Sequence, residues 1–170
     1  MIEIDFKKIE LEDKDLITHY FKHHTSRSCE RTFVNVYLWA RFYHVKFAEV
    51  EHTLVFRTED EDVFSFAYPA GEPENVKKAL DVLMVYSKER GVPFLMYTVT
   101  PDNFEYLEKW YPGRFEIEYV EGDADYVYES EKLATLSGKK LHSKRNHVNK
   151  FKIVYADRWS YEPISEDNLE

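Results

Sequence analysis

Ile2, Ile4 and Phe6 alternate with polar residues and predict a short strand, after which Leu11, Leu16, Ile17, Tyr20 and Phe21 recur at helical spacing. Phe33, Val36, Tyr37, Ala40 and Tyr43 keep a helical period. Leu38 and Trp39 widen that apolar face, so the spacing predicts a second, deeply buried helix over 30–42. Three β-rich runs follow at 45–50, 53–58 and 63–68, separated by polar turns such as 59–62, and they predict an antiparallel meander. Pro73 can open the next helix, in which Val76, Ala79, Leu80, Leu83 and Met84 face one way and Gly91 supplies the stop. The pattern then predicts a strand at 93–100, a short helix at 101–111 and two more strands at 115–120 and 124–128. Leu133 and Leu136 mark a helical turn closed by Ser137 and Gly138. Leu141, Val148, Phe151 and Tyr155 form the apolar seam of a last helix.

Composition fits that reading. The 170 residues are 44% hydrophobic and 16% aromatic, enough for one core and far too apolar for a disordered chain. Only Cys29 could enter a disulfide, no signal-like segment follows Met1, and no apolar run approaches the length that crosses a bilayer. A cytoplasmic domain without a transmembrane segment is expected. The net charge of -9 argues against a protein that is basic throughout and binds nucleic acid with its whole surface.

The charge is also segregated. Lys139, Lys140, Lys144, Arg145, Lys150 and Lys152 follow one another with no Asp or Glu between them, leaving 17 basic against 32 acidic residues elsewhere, a net -15. On a helix, Lys140, Lys144 and His147 form one row and Arg145, Asn149 and Lys152 a neighbouring one, flanking the apolar seam. Arg145 can grip a phosphate or carboxylate with two donors, Lys140, Lys144 and Lys150 add point charges, and Asn146 can donate and accept. Those five are the candidate anion- or phosphate-binding residues, suited to a nucleotide, a tRNA backbone or an anionic lipid head group. The plainer alternative is a solvated basic face balanced by the acidic remainder.

Other chemistry finds less support. Asp15, His19 and His23 share a helical stripe, with His24 and Cys29 nearby, but no compact closing ligand motif accompanies them, and an exposed polar face explains them, so no metal is expected. His142 and His147 are five apart and do not share a face as the two histidines of H-E-x-x-H do. Arg27 and Arg31 flank Cys29, yet a lone cysteine is ordinarily a small core residue. There is no G-x-S-x-G, and the five glycines are too scattered for a dinucleotide or phosphate loop. Glu116, Glu118 and Asp125 are general-base candidates on predicted strands, with no pocket geometry to choose among them, and the catalytic residues stay unassigned.

FVNVYLW at 33–39, Tyr126 to Tyr128, Leu133, Leu136 and above all SGKKLHSKRNHVNKF at 137–151 resemble a bacterial family of uncharacterised proteins related to the C-terminal domain of phosphatidylglycerol lysyltransferase. The resemblance implies an α/β (α+β) fold of GNAT-like (acyl-CoA N-acyltransferase) type, with a mixed, largely antiparallel sheet flanked by helices. It also implies two such domains in tandem in a protein nearly twice this long. On that template residues 1–136 are a first GNAT-like domain, 137–157 a basic linker helix, and 158–170 the start of a truncated second domain. An internal echo agrees: Leu11 to Leu16 (LEDKDL) matches Ile164 to Leu169 (ISEDNL), although any helix start with acidic first-turn residues has the same look.

Relatives of that family, with the Fem-type enzymes of peptidoglycan bridges, transfer an aminoacyl group from aminoacyl-tRNA to an amine or hydroxyl. The implied function is the N-terminal half of an aminoacyl or N-acyl transferase, inactive alone. Aminoacyl-tRNA or acyl-CoA would be the donor of the full-length protein, and tRNA or an anionic lipid head group the partner. The [Q/R]-x-x-G-x-[G/A] loop that cradles acyl-CoA pyrophosphate is absent, so this half is expected to hold no cofactor. The rival reading is a non-catalytic interaction module whose seam of Leu141, Val148 and Phe151 packs on the missing second domain or drives a homodimer.

Overall fold

The structure, a computed structural model, describes residues 1–22, 28–60, 63–124 and 126–169. It divides into two compact units, Met1–Asp123 and Ala124–Glu170. The first unit is built on a sheet of five strands in the order β1 (Lys7–Lys8), β2 (Lys46–Val50), β3 (Thr53–Asp60), β4 (Val63–Ala67) and β5 (Met96–Tyr97). Strands β2 to β4 form the expected antiparallel meander, β1 pairs antiparallel with β2, and β5 joins β4 in parallel, Phe66 beside Met96 and Ala67 beside Tyr97. Helices α1 (Lys14–Lys22) and α2 (Phe33–Ala40) precede β2, α3 (Pro73–Glu89) makes the crossover to β5, and α4 (Pro101–Trp110) follows it. The fold is mixed α/β with a mostly antiparallel sheet, and this arrangement is consistent with the GNAT-like class.

Alternation along the strands sets two core layers. Phe47, Leu54 and Phe56 pack with Ile17, Phe21 and Phe33 from α1 and α2, while Ala48, Val50, Val55 and Phe66 pack with Ala79, Leu83 and Tyr86 of α3. Successive side chains on a strand point to opposite faces, so helices cover both faces of the sheet. A third cluster joins α3 to α4 through Val76, Leu80, Leu107 and Tyr111. Helix α3 starts at Pro73, where the missing N–H costs nothing, and Gly91 just past its end takes φ +70°. Helix α4 is capped by Thr100, whose hydroxyl oxygen accepts the Asn103 N–H at 3.2 Å. Arg57 is buried on the α3 side, its guanidinium 4.4 Å from the Phe6 ring centre, donating to the Tyr86 hydroxyl at 2.6 Å and paired with Glu59.

Several expectations need correction. Residues 2–6 form no strand: Ile2, Ile4 and Phe6 pack half-buried against the α3 layer, and pairing begins at Lys7. The 93–100 strand shrinks to Met96–Tyr97. The described residues of 115–120 and 124–128 contain no strand, because β5 pairs only with β4 and no neighbour offers hydrogen bonds to these alternating segments. Helix α2 is not deeply buried, since only Phe33 and Ala40 are, while Leu38, Trp39, Phe42 and Tyr43 lie exposed. Its apolar girth exceeds what one sheet face can cover. Cys29 is exposed in a short 3-10 turn, not in the core. His23, His24, Arg27 and Asp125 lie outside the described residues.

The second unit holds α5 (Ser130–Thr135), a 3-10 turn at Lys139–Leu141 and α6 (His142–Tyr155). The basic helix is therefore present where the sequence put it, entered through a 3-10 turn. None of the unit's described residues is buried. A last 3-10 turn, Glu166–Asn168, has a capping box from Ser165 to Asn168. The matching segment near the start also forms a 3-10 turn, Leu11–Asp13, with a box from Glu10 to Asp13. Both copies of the echo start a helical turn, two residues out of register.

Candidate functional site

The α5 to α6 connection decides how the basic residues are presented. Helix α5 stops where Leu136 turns left-handed at φ +51°, and Gly138 follows at φ +87°, a conformation that glycine adopts without a steric penalty. This reversal leaves backbone carbonyls without helical partners. Arg145, one turn into α6, answers them: its Nη1 donates to the carbonyls of Leu136 and Gly138, the latter at 3.0 Å. Its Nη2 reaches His142 Nδ1 at 3.4 Å, and the Asn146 amide lies 3.3 Å from His142 Nε2. Arg145 is half-buried by these contacts, and it holds the turn closed.

Lys140, Lys144 and Lys150 are differently placed. All three are exposed, and among the described residues none makes an ion pair; the unit's salt bridge is Lys132 to Glu129, 3.0 Å apart on α5. Asn146 is exposed beside His142. The five candidates are thus gathered within one turn and helix. Three project free ammonium groups, while Arg145 is tied to the backbone and to His142, and Asn146 to His142. Along the same helix Val148, Phe151 and Tyr155 are exposed too. The Phe151 ring stands 4.8 Å from Tyr155 and 5.6 Å from Trp159.

A second polar constellation, in the first unit, went unseen in the sequence. It lies where β4 and β5 run parallel. Arg31 Nη2 donates to the Tyr68 carbonyl at 2.8 Å, just past the end of β4, and Tyr97 ends β5. Burial presses the Arg31 guanidinium down from its ordinary value, with Tyr97, the Glu30 carboxylate and Tyr68 opposing it. Burial pushes the Tyr68 phenol up to about 12, and burial together with Glu30 raises Tyr97 further still. Both phenols stay protonated at neutral pH, and the Tyr97 hydroxyl already hydrogen-bonds Thr58. Thr98 follows with φ +54°, a strained conformation for a β-branched residue, and its buried hydroxyl has no hydrogen-bond partner among the described residues. These residues come from distant segments and form no motif. Of the general-base candidates, Glu116 and Glu118 are exposed in an irregular segment.

A model of the family described as phosphatidylglycerol lysyltransferase, C-terminal, matches residues 21–170. The chain belongs to this family. The match includes α6 with all five candidate residues and the constellation around Arg31. A crystal structure of a conserved protein of unknown function from Bacteroides thetaiotaomicron superposes with a TM-score of 0.87 at 34% identity, over 97% of this chain and 55% of that one. An uncharacterized protein of Mycoplasmoides gallisepticum is 41% identical over 44 residues, 25% of this chain and 14% of that protein. The chain therefore spans little more than half of the solved relative and a small part of the mycoplasmal one. Among the described residues no helix is long and apolar enough to cross a membrane.

Proposed function

We propose that this lysyltransferase-related domain is the N-terminal half of an aminoacyl or N-acyl transferase, and that α6 contacts the phosphates of a donor or acceptor. The carrying observation is the state of Lys140, Lys144 and Lys150: exposed, free of carboxylate partners among the described residues, and set on one turn and helix inside the family match. Like charges so close together repel, and an anionic partner relieves that cost. Aminoacyl-tRNA and an anionic lipid head group both carry the required phosphate. Arg145 then acts mainly by fixing the α5 to α6 turn that displays the lysines.

The test is a salt titration of binding to tRNA and, separately, to vesicles of phosphatidylglycerol against phosphatidylcholine. Replacing Lys140, Lys144 and Lys150 by Gln should weaken binding to the true partner and flatten the dependence of log K on log salt by roughly 2 to 3. A folded triple variant that binds both probes with unchanged affinity and slope defeats the proposal.

A second reading, a non-catalytic interaction module, draws support from the same helix. Val148, Phe151 and Tyr155 are more than 40% exposed, an apolar seam of the kind that interfaces cover.

A further inference from the structure

The C-terminal half of α3 borders a groove of about 610 Å³ that the reading of α6 does not use. Ligand sites commonly fall in this size range. Part of its wall is apolar: Met84 from α3, Val92 and Phe94 from the segment leading to β5, and Phe115 beyond α4, with the two phenylalanine rings 6.2 Å apart. Ser87 also lines it, and this serine is 1% exposed with a hydroxyl that has no hydrogen-bond partner among the described residues. A serine inside a helix ordinarily returns its hydroxyl to the carbonyl one turn back. The Ser87 hydroxyl does not, and a buried polar group left so is an uncommon feature.

The charges at the rim have one sign to spare. Asp81 is already committed, accepting the Tyr111 hydroxyl at 2.7 Å and Lys77 Nζ at 2.9 Å. Lys88 and Arg114 also line the groove and make no ion pair among the described residues. A buried hydroxyl with no hydrogen-bond partner among the described residues, the Lys88 ammonium, the Arg114 guanidinium 5.9 Å from the Tyr111 ring and an aromatic wall match a molecule with one anionic end and one apolar end.

We propose that this groove is a binding site for an acyl-chain carboxylate. The carboxylate accepts from the Ser87 hydroxyl, Lys88 and Arg114, and the chain lies along Met84, Phe94 and Phe115. A charge-assisted set of donors is needed because a carboxylate gives up strong hydration on binding. The aromatic wall supplies the apolar area that an acyl chain seeks.

Decanoate and decanol, titrated calorimetrically into the 170-residue chain, separate the two halves of the claim. Decanoate should bind at one site per chain, about tenfold or more tighter than decanol, as expected for hydrogen bonds to a charged group. The double substitution Lys88→Gln with Arg114→Gln, both on exposed side chains, should remove that preference and leave decanol binding unchanged. Ser87→Ala should weaken decanoate without lowering the melting temperature, since it deletes an unpaired polar atom. The proposal is overturned if decanoate fails to saturate a site by about 1 mM, if decanol binds equally well, or if the double variant keeps full decanoate affinity.

Discussion

Asp13 shows how a single buried carboxylate ties the first strand to the first helix. It accepts Lys7 Nζ from β1 at 2.6 Å and the Glu10 N–H at 3.0 Å, closing the cap that leads into α1. Burial alone would raise its pKa, but the Lys7 ammonium and the Glu10 N–H outweigh that effect and hold the carboxyl below its ordinary value of 3.8. With the folded value below the unfolded one, the ionised carboxylate stabilises the fold above the ordinary range. The contribution is lost as pH falls through the folded value. Asp13→Asn should therefore cost roughly 1–2 kcal/mol at pH 7. Denaturant titrations of wild type and variant should converge as the solution is acidified past the carboxylate range; a gap independent of pH would refute the assignment. The partnership was hidden in the sequence, where Lys7 and Asp13 are two charges among many, and it exists because β1 and the start of α1 meet edge to end.

Between elements, a close approach is that of the loop entering α3 and the turn from β2 to β3. Leu54 and Ala70 exchange backbone hydrogen bonds of 2.8 and 2.9 Å, and a side chain on Gly71 would stand 2.8 Å from the Thr53 Cγ2. Thr53 cannot yield easily, being fully buried with its hydroxyl donating to the Val50 carbonyl at 2.7 Å. Gly71→Ala should destabilise by roughly 1–3 kcal/mol, lowering the melting temperature by roughly 3–10 °C in a calorimetric scan. An unchanged melting point would show that the loop is free to move aside. This contact also marks what the sequence could disclose. Helix α3 was legible because Pro73, the stripe from Val76 to Leu83 and Gly91 are all local signals. The meander was legible because its turns are local too. Alternation at 115–120 was misleading, since a strand needs a neighbour, which no local pattern supplies. The girth of α2 gave its helical period but not how many faces would be covered. The bonds of Arg145 to the Leu136 and Gly138 carbonyls were not legible, because they depend on the left-handed Leu136 nine residues earlier. The trio of Arg31, Tyr68 and Tyr97 needed three segments to meet at the parallel strand pair.

The chain as a whole separates charge from apolar exposure in an unequal way. The second unit has no buried residue among those described, yet it carries Val148, Phe151, Val154, Tyr155 and Trp159 at 41 to 49% exposure and Ile153 at 78%. Apolar area grouped on one helix is costly in water, while lysines on the same helix keep their hydration until a phosphate takes its place. The two kinds of contact respond oppositely to salt: ionic strength screens the lysines and leaves burial of the rings intact. Sedimentation velocity over about 1 to 100 μM should therefore show the 170-residue chain associating with itself, in low and high salt alike. Phe151→Glu should return it to a monomer without changing its melting curve, because Phe151 supports no core. Association that vanishes in high salt would place the contact on the lysines instead. A monomer throughout the range would remove the interaction-module reading and leave α6 to its phosphate-bearing partner.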